Sequence, residues 1–339
     1  MEIKRLSEVN LKASVNSSIA VAGLLSKIET KIAKNNSTYA TLVLKDKNKE
    51  VEVKWFDFNN GYIQHLIKGK VYCFLVKVQP YEKGKDSISL IVDDKSNPNY
   101  APFSELEANP DEFLDKEVLV GWAFQKINEY LTYLNGYPLY IILKSILDER
   151  FEAFCNHNAA NTFHHTGIGG LMVHSASVCE LSMMLADYFN GMYGSDFVNK
   201  KLLMCGALLH DIGKVEELDF DKTTGQSEYS TLSILENHII SGIKIISMKA
   251  AENGVICREL DELIHLIASH HGKPEFGSPI PANTIEAKLL SWADDIDATA
   301  YRFHRAYEKL EPGEGSTEWS AGQKLSYYRT LMTGVDPEL

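Results

Sequence analysis

Hydrophobic and polar positions in the first hundred residues alternate with the two-residue period of β-strands. The alternating runs cover residues 18–25, 38–44, 51–58, 71–78 and 87–92. A polar stretch at 45–49 separates the second run from the third and predicts a hairpin turn. Five short strands with a helical piece near residues 61–68 predict a small β-barrel of the oligonucleotide-binding (OB) type.

The pattern changes after the barrel. Residues 96–150 carry a looser pattern with an acidic stretch and one helical segment, which predicts a connector. Residues 151–310 follow the 3.6-residue period of helices almost throughout, which predicts an all-α bundle. The predicted organisation is therefore a barrel over 1–95, a partly helical connector over 96–150, a helical domain over 151–310 and a tail over 311–339.

Metal-binding residue types recur on the apolar faces of the predicted helices. One helix, over 168–189, carries such a residue on its buried stripe, and a second, over 201–209, is apolar nearly all round and ends in a histidine and an aspartate. A third helix would carry one on the line of Leu232 and Leu235. The complete set is His174, His210, Asp211, His238, His270, His271, Asp294 and Asp297.

A single histidine on an apolar stripe is usually a core residue bonded to a carbonyl group. Burial of this whole set without partners would cost several kcal/mol for each group. A divalent metal removes that cost because it ligates the groups together. Histidine and carboxylate ligands without thiolate favour Mn²⁺, Fe²⁺, Co²⁺ or Zn²⁺ over a structural thiolate–zinc site.

Charge and composition narrow the functional class. The 339-residue chain has a formal net charge of −12, yet its first hundred residues hold 16 basic and 11 acidic side chains. A basic front on an acidic body indicates that nucleic-acid contact falls to the barrel, although lysine enrichment of a solvated surface explains the same counts. No apolar run is long enough for a membrane span, and we expect a cytoplasmic location.

Aromatic residues interleave with lysines in the barrel segment. This combination is typical of single-strand binding, in which bases stack on aromatic rings and lysines contact phosphates. Strand alternation sends about half of the aromatics into the barrel core. Lys54, Trp55 and Phe56 are the predicted nucleic-acid contacts.

The ordered ligand set resembles a known superfamily. His174, then His210-Asp211, then the later histidines, then Asp294 and Asp297 resemble the HD-domain metal-dependent phosphohydrolases, which have an all-helical fold. The segments at 164–175, 209–214 and 269–279 are similar to those of the YhaM-type 3′-to-5′ exoribonucleases. Those proteins place an OB barrel before an HD domain, so the resemblance covers about residues 15–310.

The resemblance implies two divalent ions, with Mn²⁺ expected first. His174, His210, Asp211 and Asp294 would hold one ion, and Asp211 would bridge to a second one held by His238, His270 and His271. Such a pair activates water and clamps the oxygens of a phosphodiester during in-line displacement.

Further residues have roles that depend on this centre. Lys214 would bind a phosphate oxygen, and Asp297 would orient a ligand or accept a proton. His164 and His165 would contact the substrate or add a ligand, and Lys273 would line a channel rim or merely belong to a structural turn.

Three functions remain open at this point. The first is a 3′-to-5′ exonuclease on single-stranded RNA, with DNA as a further substrate, that releases nucleoside 5′-monophosphates. The second is an HD hydrolase of a nucleotide or cyclic dinucleotide, in which the barrel regulates. The third is a nucleic-acid-binding scaffold with a structural metal cluster, which an open ligand set disfavours. A homo-oligomer is compatible with each.

Overall fold

The structure, a computed structural model, describes residues 2–56, 60–80, 88–93, 102–160, 165–308, 310, 315–317 and 325–330. The chain divides into two compact units. Met1–Lys116 and Phe220–Ser227 make up the first, which we call the barrel unit. Glu117–Asp219 and Glu228–Leu339 make up the second, the helical unit.

The barrel unit is built on one sheet. Its strands are β1 (Ile3–Arg5), β2 (Ser18–Ile32), β3 (Thr38–Asp46), β4 (Lys49–Phe56), β5 (Val71–Pro80), β6 (Ile88–Val92) and β7 (Phe103–Glu105). Strand β2 pairs with both β3 and β5, and the ring closes through β4 and β6, in the order β2–β3–β4–β6–β5–β2. This closed five-stranded ring confirms the predicted OB-like barrel.

Two strands lie outside the predicted set. Strand β1 adds to β2 in parallel, and β7 adds to β5 in antiparallel orientation. Both are only three residues long, so they carry too little alternation to be recognised in the sequence. The predicted helical piece near 61–68 is the short helix α1, Asn60–Ile63.

The helical unit contains nine helices among its described residues: α2 (Val120–Leu134), α3 (Tyr140–Glu149), α4 (Phe151–Asn156), α5 (Gly170–Tyr193), α6 (Lys200–Leu209), α7 (Lys214–Glu217), α8 (His238–Glu252), α9 (Arg258–Ser269) and α10 (Ile285–Tyr307). Helix α6 packs against α5, α9 and α10, and residues 202–209 along it are all buried. The all-round apolar sequence of α6 thus places it at the centre. The predicted helical fold is confirmed.

Residues 120–149, which the pattern assigned to a connector, form α2 and α3 and bury side chains in the same core, among them Leu134, Ile142 and Leu143. Between α7 and α8 lies a small hairpin of β8 (Leu218–Asp221) and β9 (Gln226–Tyr229), where only helix was expected. No helix in the described parts of the chain has both the length and the apolarity to cross a membrane.

The predicted start of the third helix is wrong. Helix α8 begins at His238, where the side chain of Asn237 accepts a hydrogen bond from the backbone N–H of Ile240. Leu232 lies in a 3₁₀ turn before it, and Leu235, just after that turn, is 82% exposed. The asparagine cap therefore overrides the apolar line that suggested a longer helix.

Candidate metal centre

Five helices bring the predicted ligands to one buried location. His174 lies in the second turn of α5, His238 begins α8 and Asp294 lies in the middle of α10. His210 and His270 follow directly after the last residues of α6 and α9. Each of these two rings bonds through Nδ1 to a carbonyl three residues earlier, at 2.8 Å to Ala207 and 2.7 Å to Ile267.

The five histidines among the candidate ligands make the same type of hydrogen bond. In each ring Nδ1 lies at hydrogen-bond distance from an oxygen: Asp297 Oδ2 for His174 (2.7 Å), Ala207 O for His210 (2.8 Å), Glu217 Oε2 for His238 (2.9 Å), Ile267 O for His270 (2.7 Å) and Phe276 O for His271 (2.7 Å). Carbonyl and carboxylate oxygens accept, so Nδ1 donates, and in the neutral form of each ring Nε2 keeps its lone pair. Each ring therefore presents a ligand atom at Nε2.

One set of ligand atoms, which we call the first ligand group, comprises Nε2 of His174, Nε2 of His210, Oδ2 of Asp211 and Oδ1 of Asp294. His174 Nε2 lies 3.1 Å from His210 Nε2, 3.4 Å from Asp211 Oδ2 and 3.2 Å from Asp294 Oδ1. His210 Nε2 lies 3.4 Å from Asp211 Oδ2 and 4.0 Å from Asp294 Oδ1. Ligands bound at about 2.0–2.2 Å to one ion lie at roughly such mutual distances.

The second ligand group uses the other oxygen of the same aspartate. Asp211 Oδ1 lies 3.6 Å from His238 Nε2 and 3.7 Å from His270 Nε2. His238 Nε2 is in turn 3.3 Å from His271 Nε2. The carboxylate of Asp211 thus faces the first group with Oδ2 and the second group with Oδ1.

The donor set fits divalent metal ions. Asp211 Oδ1 and His270 Nε2 are buried and have no hydrogen-bond partner among the described residues. Such atoms are costly unless they bind something. Imidazole nitrogens and carboxylate oxygens without thiolate are the ligands that borderline and hard divalent ions prefer. The metal dependence that the sequence predicts is therefore compatible with the geometry.

Burial and neighbouring charges shift the pKa values of several candidate ligands. Burial lowers the pKa of His210 and His270, so both rings are neutral near pH 7 and keep the lone pair that a ligand needs. Burial alone would raise the pKa of Asp211, but Lys214 and His210 hold it well below its ordinary value. Burial would also lower the pKa of His174, yet hydrogen bonds to Asp211, Asp294 and Asp297 hold it well above its ordinary value. These carboxylates favour positive charge at this position.

Asp297 lies behind the first ligand group. Its Oδ2 accepts hydrogen bonds from His174 Nδ1 at 2.7 Å and His165 Nε2 at 2.9 Å, and its Oδ1 accepts one from Ser177. His165 is only 5% exposed. Of the two roles considered for each residue, this geometry supports an orienting role for Asp297, and it places the ring of His165 behind the ligands and away from the position expected of a substrate contact.

The lysines lie at different depths. Lys214 is 8% exposed, and its Nζ is 2.6 Å from Asp211 Oδ2, so its ammonium group lies at the centre. Lys273 caps a short 3₁₀ turn, Pro274–Phe276, whose last carbonyl accepts the bond from His271 Nδ1. Its ammonium group lies 5.9 Å from the ring centroid of Phe276, which is 66% exposed. The expectation for His164 falls outside the described residues.

The predicted barrel contacts divide between two faces. Trp55 is 1% exposed and packs in the barrel core against Phe103 and Tyr62, so its proposed contact with nucleic acid is wrong. Alternation along β4 sends its neighbours outward. Phe56 is 39% exposed and stacks on Tyr39 of β3 with ring centroids 5.4 Å apart, and the side chain of Lys54 is 29% exposed.

Three side chains near the candidate ligands were not predicted from the sequence. Glu217 accepts bonds from both the backbone N–H of His238 at 3.1 Å and its Nδ1 at 2.9 Å. Glu117 Oε1 lies 3.6 Å from His165 Nδ1. Ser177 donates a hydrogen bond to Asp297. It lies three residues after His174, on the same face of α5, and this spacing could have identified it in the sequence. Glu117 and Glu217 lie on other segments, and no spacing rule connects them to their histidines.

Comparison with known proteins gives the same assignment. The family model described as HD domain matches residues 171–299, a range that includes every candidate ligand. A protein named 3′-5′ exoribonuclease YhaM from Geobacillus sp. (strain WCH70) is 28% identical over 325 residues, which cover 95% of this chain and 94% of that protein. The protein of the same name from Bacillus subtilis is 30% identical over 309 residues, which cover 90% and 93%.

A solved OB domain from Thermoplasma acidophilum aligns with 32% of this chain and 91% of that domain, at 14% identity. The TM-score of this match is only 0.23, and the assignment of the barrel rests on its strand order. The relatives cover nearly the whole chain, and the predicted family is confirmed. This chain belongs to the YhaM family of 3′-5′ exoribonucleases, which are HD-domain phosphodiesterases that depend on divalent metal.

Proposed function

We propose that this protein removes nucleotides from the 3′ end of single-stranded RNA and releases nucleoside 5′-monophosphates, and that it does so in the cytoplasm. The observation that carries the proposal is the placement of Asp211, whose two oxygens face two separate groups of inward-facing nitrogens. A carboxylate shared by two ligand groups would hold two ions close together, and in-line phosphodiester cleavage by two ions needs such a close pair.

Two ions are part of the proposal. The first ligand group would hold one and the second ligand group the other, with Asp211 shared between them. Mn²⁺ is the expected metal, and Co²⁺, Fe²⁺ and Zn²⁺ satisfy the same ligands. When bound, such ions supply an activated water near neutral pH and neutralise charge on the phosphate.

The residues of the chain position the substrate and the ligands. Lys214 donates to a non-bridging phosphate oxygen, because its ammonium group already lies 2.6 Å from the shared aspartate. Asp297 and Glu217 hold the rings of His174 and His238, and each fixes the proton at Nδ1. Lys273 lies on the turn that fixes His271 and contacts the backbone of the incoming strand.

The barrel unit supplies strand binding. Phe56 and Tyr39 offer a stacked pair of rings, one of them well exposed, on neighbouring strands, and Lys54 lies on the outer side of the same pair of strands. Base stacking tolerates any sequence, so we expect little base preference and some activity on DNA. The proposed functional division is a strand-binding module, the barrel unit, and a hydrolytic module, the helical unit.

Direction and end chemistry test the activity. Metal-loaded protein is incubated with 5′-labelled single-stranded RNA, with the same DNA, and with a circular strand, and products are resolved on a sequencing gel and by chromatography. A descending ladder, 5′-monophosphates and an intact circle are expected. A 3′-phosphate on the substrate should slow cleavage because it adds negative charge at the lysine and the ligands. Fragments from the circle or nucleoside 3′-monophosphates would contradict the proposal and favour a different phosphodiesterase.

The number of ions is tested separately. After chelation and dialysis against Mn²⁺ or Co²⁺, elemental analysis of the wild type should find two equivalents. His238→Ala should retain one equivalent, since the first ligand group is intact in this variant. Asp211→Ala should weaken the binding of both ions, because both ligand groups use this carboxylate. One equivalent in the wild type would contradict the two-ion assignment.

A further inference from the structure

A chain of buried polar side chains extends behind His174. Asp297 Oδ2 accepts from His174 Nδ1 at 2.7 Å and from His165 Nε2 at 2.9 Å. The other ring nitrogen of His165 lies 3.6 Å from Glu117 Oε1, which accepts a bond at 2.8 Å from the hydroxyl of Tyr301. We call Asp297, His165 and Glu117 the Asp297 network.

Two other rings pack near the ring of His165. Its centroid lies 4.1 Å from that of Tyr301 and 5.4 Å from that of His174. The side chains of Glu117 and Asp297 at its two nitrogens are only 11% and 9% exposed. The ring therefore has carboxylates at both edges and an aromatic ring nearby.

The backbone at His165 is also constrained. Its φ of 44° lies in the left-handed region, which is unfavourable for a non-glycine residue. The carbonyl of His165 accepts from the backbone N–H of Ala159 at 2.9 Å, and a Cβ on Gly170 would lie only 2.0 Å from that carbonyl oxygen. The surrounding structure thus maintains an unfavourable backbone conformation, and residues in such conformations occur often at functional sites.

We propose that His165 and Glu117 are positioning residues that lock Asp297 against His174 and thereby set the affinity of the first ligand group for its ion. This inference rests on the proposed function, because it assumes that the first ligand group holds an ion. Asp297 has two oxygens and three hydrogen-bond donors around it: His174, His165 and Ser177. Without His165, the carboxylate could rotate, and the ring of His174 would lose its fixed orientation.

A metal ion bound directly by His165, His174 and Asp297 is the competing explanation, because their ligand atoms lie within 4.8 Å of one another. Such an ion would take Nδ1 of His174 while Nε2 of the same ring faces the first ligand group. One imidazole would then have to lose both protons to serve two ions. Hydrogen bonding from Nδ1 to Asp297 requires no such step.

The second ligand group provides a matched control. Glu217 accepts from His238 Nδ1 at 2.9 Å, as Asp297 does from His174, but on the other side of Asp211. Loss of the Glu217 carboxylate should therefore weaken binding of the second ion, and loss of the His165 ring should weaken binding of the first ion. A variant that merely loosens the fold would weaken both.

The experiment measures Mn²⁺ and Co²⁺ binding by isothermal titration calorimetry on the full chain. It uses the wild type, His165→Ala, His165→Gln, Glu117→Gln and Glu217→Gln, and repeats the first three in a His238→Ala background, where one ion is expected. His165→Ala should weaken the first ion roughly 10–100-fold. His165→Gln should recover most of that loss, because its amide N–H₂ can reach the place of Nε2–H. Glu117→Gln should give a smaller loss in the same direction.

The outcomes separate the two proposals. If His238→Ala binds as many ions as the wild type, the two-ion assignment is wrong. If His238→Ala loses one ion but His165→Ala leaves the affinity of the other within twofold, the Asp297 network has no positioning role. Loss of one whole equivalent in His165→Ala and His165→Gln alike would support a directly bound ion instead. Should His165→Ala fail to fold by circular dichroism, the comparison of Glu117→Gln with Glu217→Gln decides the same question, since the first should weaken binding of the first ion and the second should weaken binding of the second ion.

Discussion

At the scale of single residues, the centre depends on what lies behind each ligand. His210 and His270 each bond to a carbonyl three residues earlier, among the last carbonyls of α6 and α9, which have no partner within the helix. One bond thus satisfies a helix end and fixes the tautomer of a ligand. His174 and His238 use carboxylates for the same purpose.

The sequence indicated the candidate ligands but only part of what surrounds them. The seven candidate ligands were recognisable because burial of so many imidazoles and carboxylates needs a common explanation. Lys214 was found because it lies one turn after Asp211. Glu117 and Glu217 could not be found, since each meets its histidine through tertiary packing rather than through a sequence spacing.

Trp55 and Phe56 give a direct test of the barrel face, since they are neighbours on opposite sides of β4. Phe56→Ala should weaken binding of single-stranded RNA roughly tenfold to hundredfold, the loss of about one stacked base, and leave stability nearly unchanged. Trp55→Ala should destabilise the barrel by about 3–5 kcal/mol, because it empties a core position that is 1% exposed. Fluorescence anisotropy and urea unfolding measure the two effects. Equal affinity of Phe56→Ala and the wild type would exclude this face.

At the scale of elements, close packing places α7 against α8. A Cβ on Gly213, which precedes Lys214, would lie 1.9 Å from the carbonyl oxygen of His238 and 2.6 Å from the amide of Gly242. Only glycine permits this approach, which brings Asp211 and Lys214 to the start of α8. The motif of a histidine, an aspartate and a following glycine thus has a packing reason as well as a chemical one.

Gly213→Ala should therefore destabilise the helical unit by about 3 kcal/mol, the upper range for overpacking, and lower the affinity for the second ion. Gly191→Ala is the matched control, since this glycine lies in α5 and a Cβ there meets nothing within 4 Å. That variant should be stabilised by up to about 1 kcal/mol through helix propensity. Thermal unfolding with and without Mn²⁺ gives both numbers. A Gly213→Ala protein as stable as the wild type would refute the packing argument.

Elements were predictable where one face or the whole surface is apolar. The central helix α6 and the alternating strands β3 and β4 were found because burial imposes a clear period on them. The start of α8 and the hairpin of β8 and β9 were missed, because a single asparagine cap and four-residue strands decide them. Helices α2 and α3 were assigned to a connector, although their buried faces complete the helical core.

One ion pair fastens β1 to the barrel. Arg5 donates to Asp46 from Nε at 3.2 Å and from Nη2 at 2.5 Å, and Ser7 donates to the same carboxylate from its backbone N–H at 2.9 Å. Burial would raise the pKa of Asp46, but the bonds from Arg5 and Ser7 outweigh burial and lower it. The carboxylate is therefore held ionised in the fold more firmly than in the unfolded chain.

The sign of the pH dependence follows. A folded-state pKa below the unfolded value of about 4 gives stability that is present above pH 4 and is lost as pH falls through the folded value. Asp46→Asn should lower barrel stability by about 2–3 kcal/mol at pH 7, and its difference from the wild type should shrink below pH 4. Hydrogen exchange of peptides from β2 and β3, followed from pH 7 to pH 3, measures this locally. A difference that stays constant with pH would show that the charge of Asp46 is not responsible.

At the scale of the whole molecule, charge is divided between the two ends of the chain. Residues 1–100 hold 16 basic and 11 acidic side chains, whereas the remaining residues hold 18 and 35. The acidic part also contains the ligands, whose carboxylates need cations and would repel a polyanion in their absence. The basic first hundred residues, in one chain with an acidic remainder, thus favour capture of the RNA strand by the strands of the barrel.

Salt dependence distinguishes this division of labour from uniform binding. The observed affinity for single-stranded RNA should fall with rising salt, with a slope that becomes shallower by about 0.7 for each phosphate contact removed. Lys54→Met in the barrel should reduce both the affinity and the slope. Lys144→Met is the control, since this lysine belongs to α3 of the helical unit, outside the proposed strand-binding module, and its loss should leave both unchanged. Binding is measured by anisotropy from 50 to 300 mM KCl with Ca²⁺ in place of Mn²⁺ to limit cleavage. Equal slopes for Lys54→Met and the wild type would mean that the outer face of β3 and β4 does not contact the phosphates through Lys54. The phosphate contacts would then have to be sought in the helical unit, beginning with Lys273.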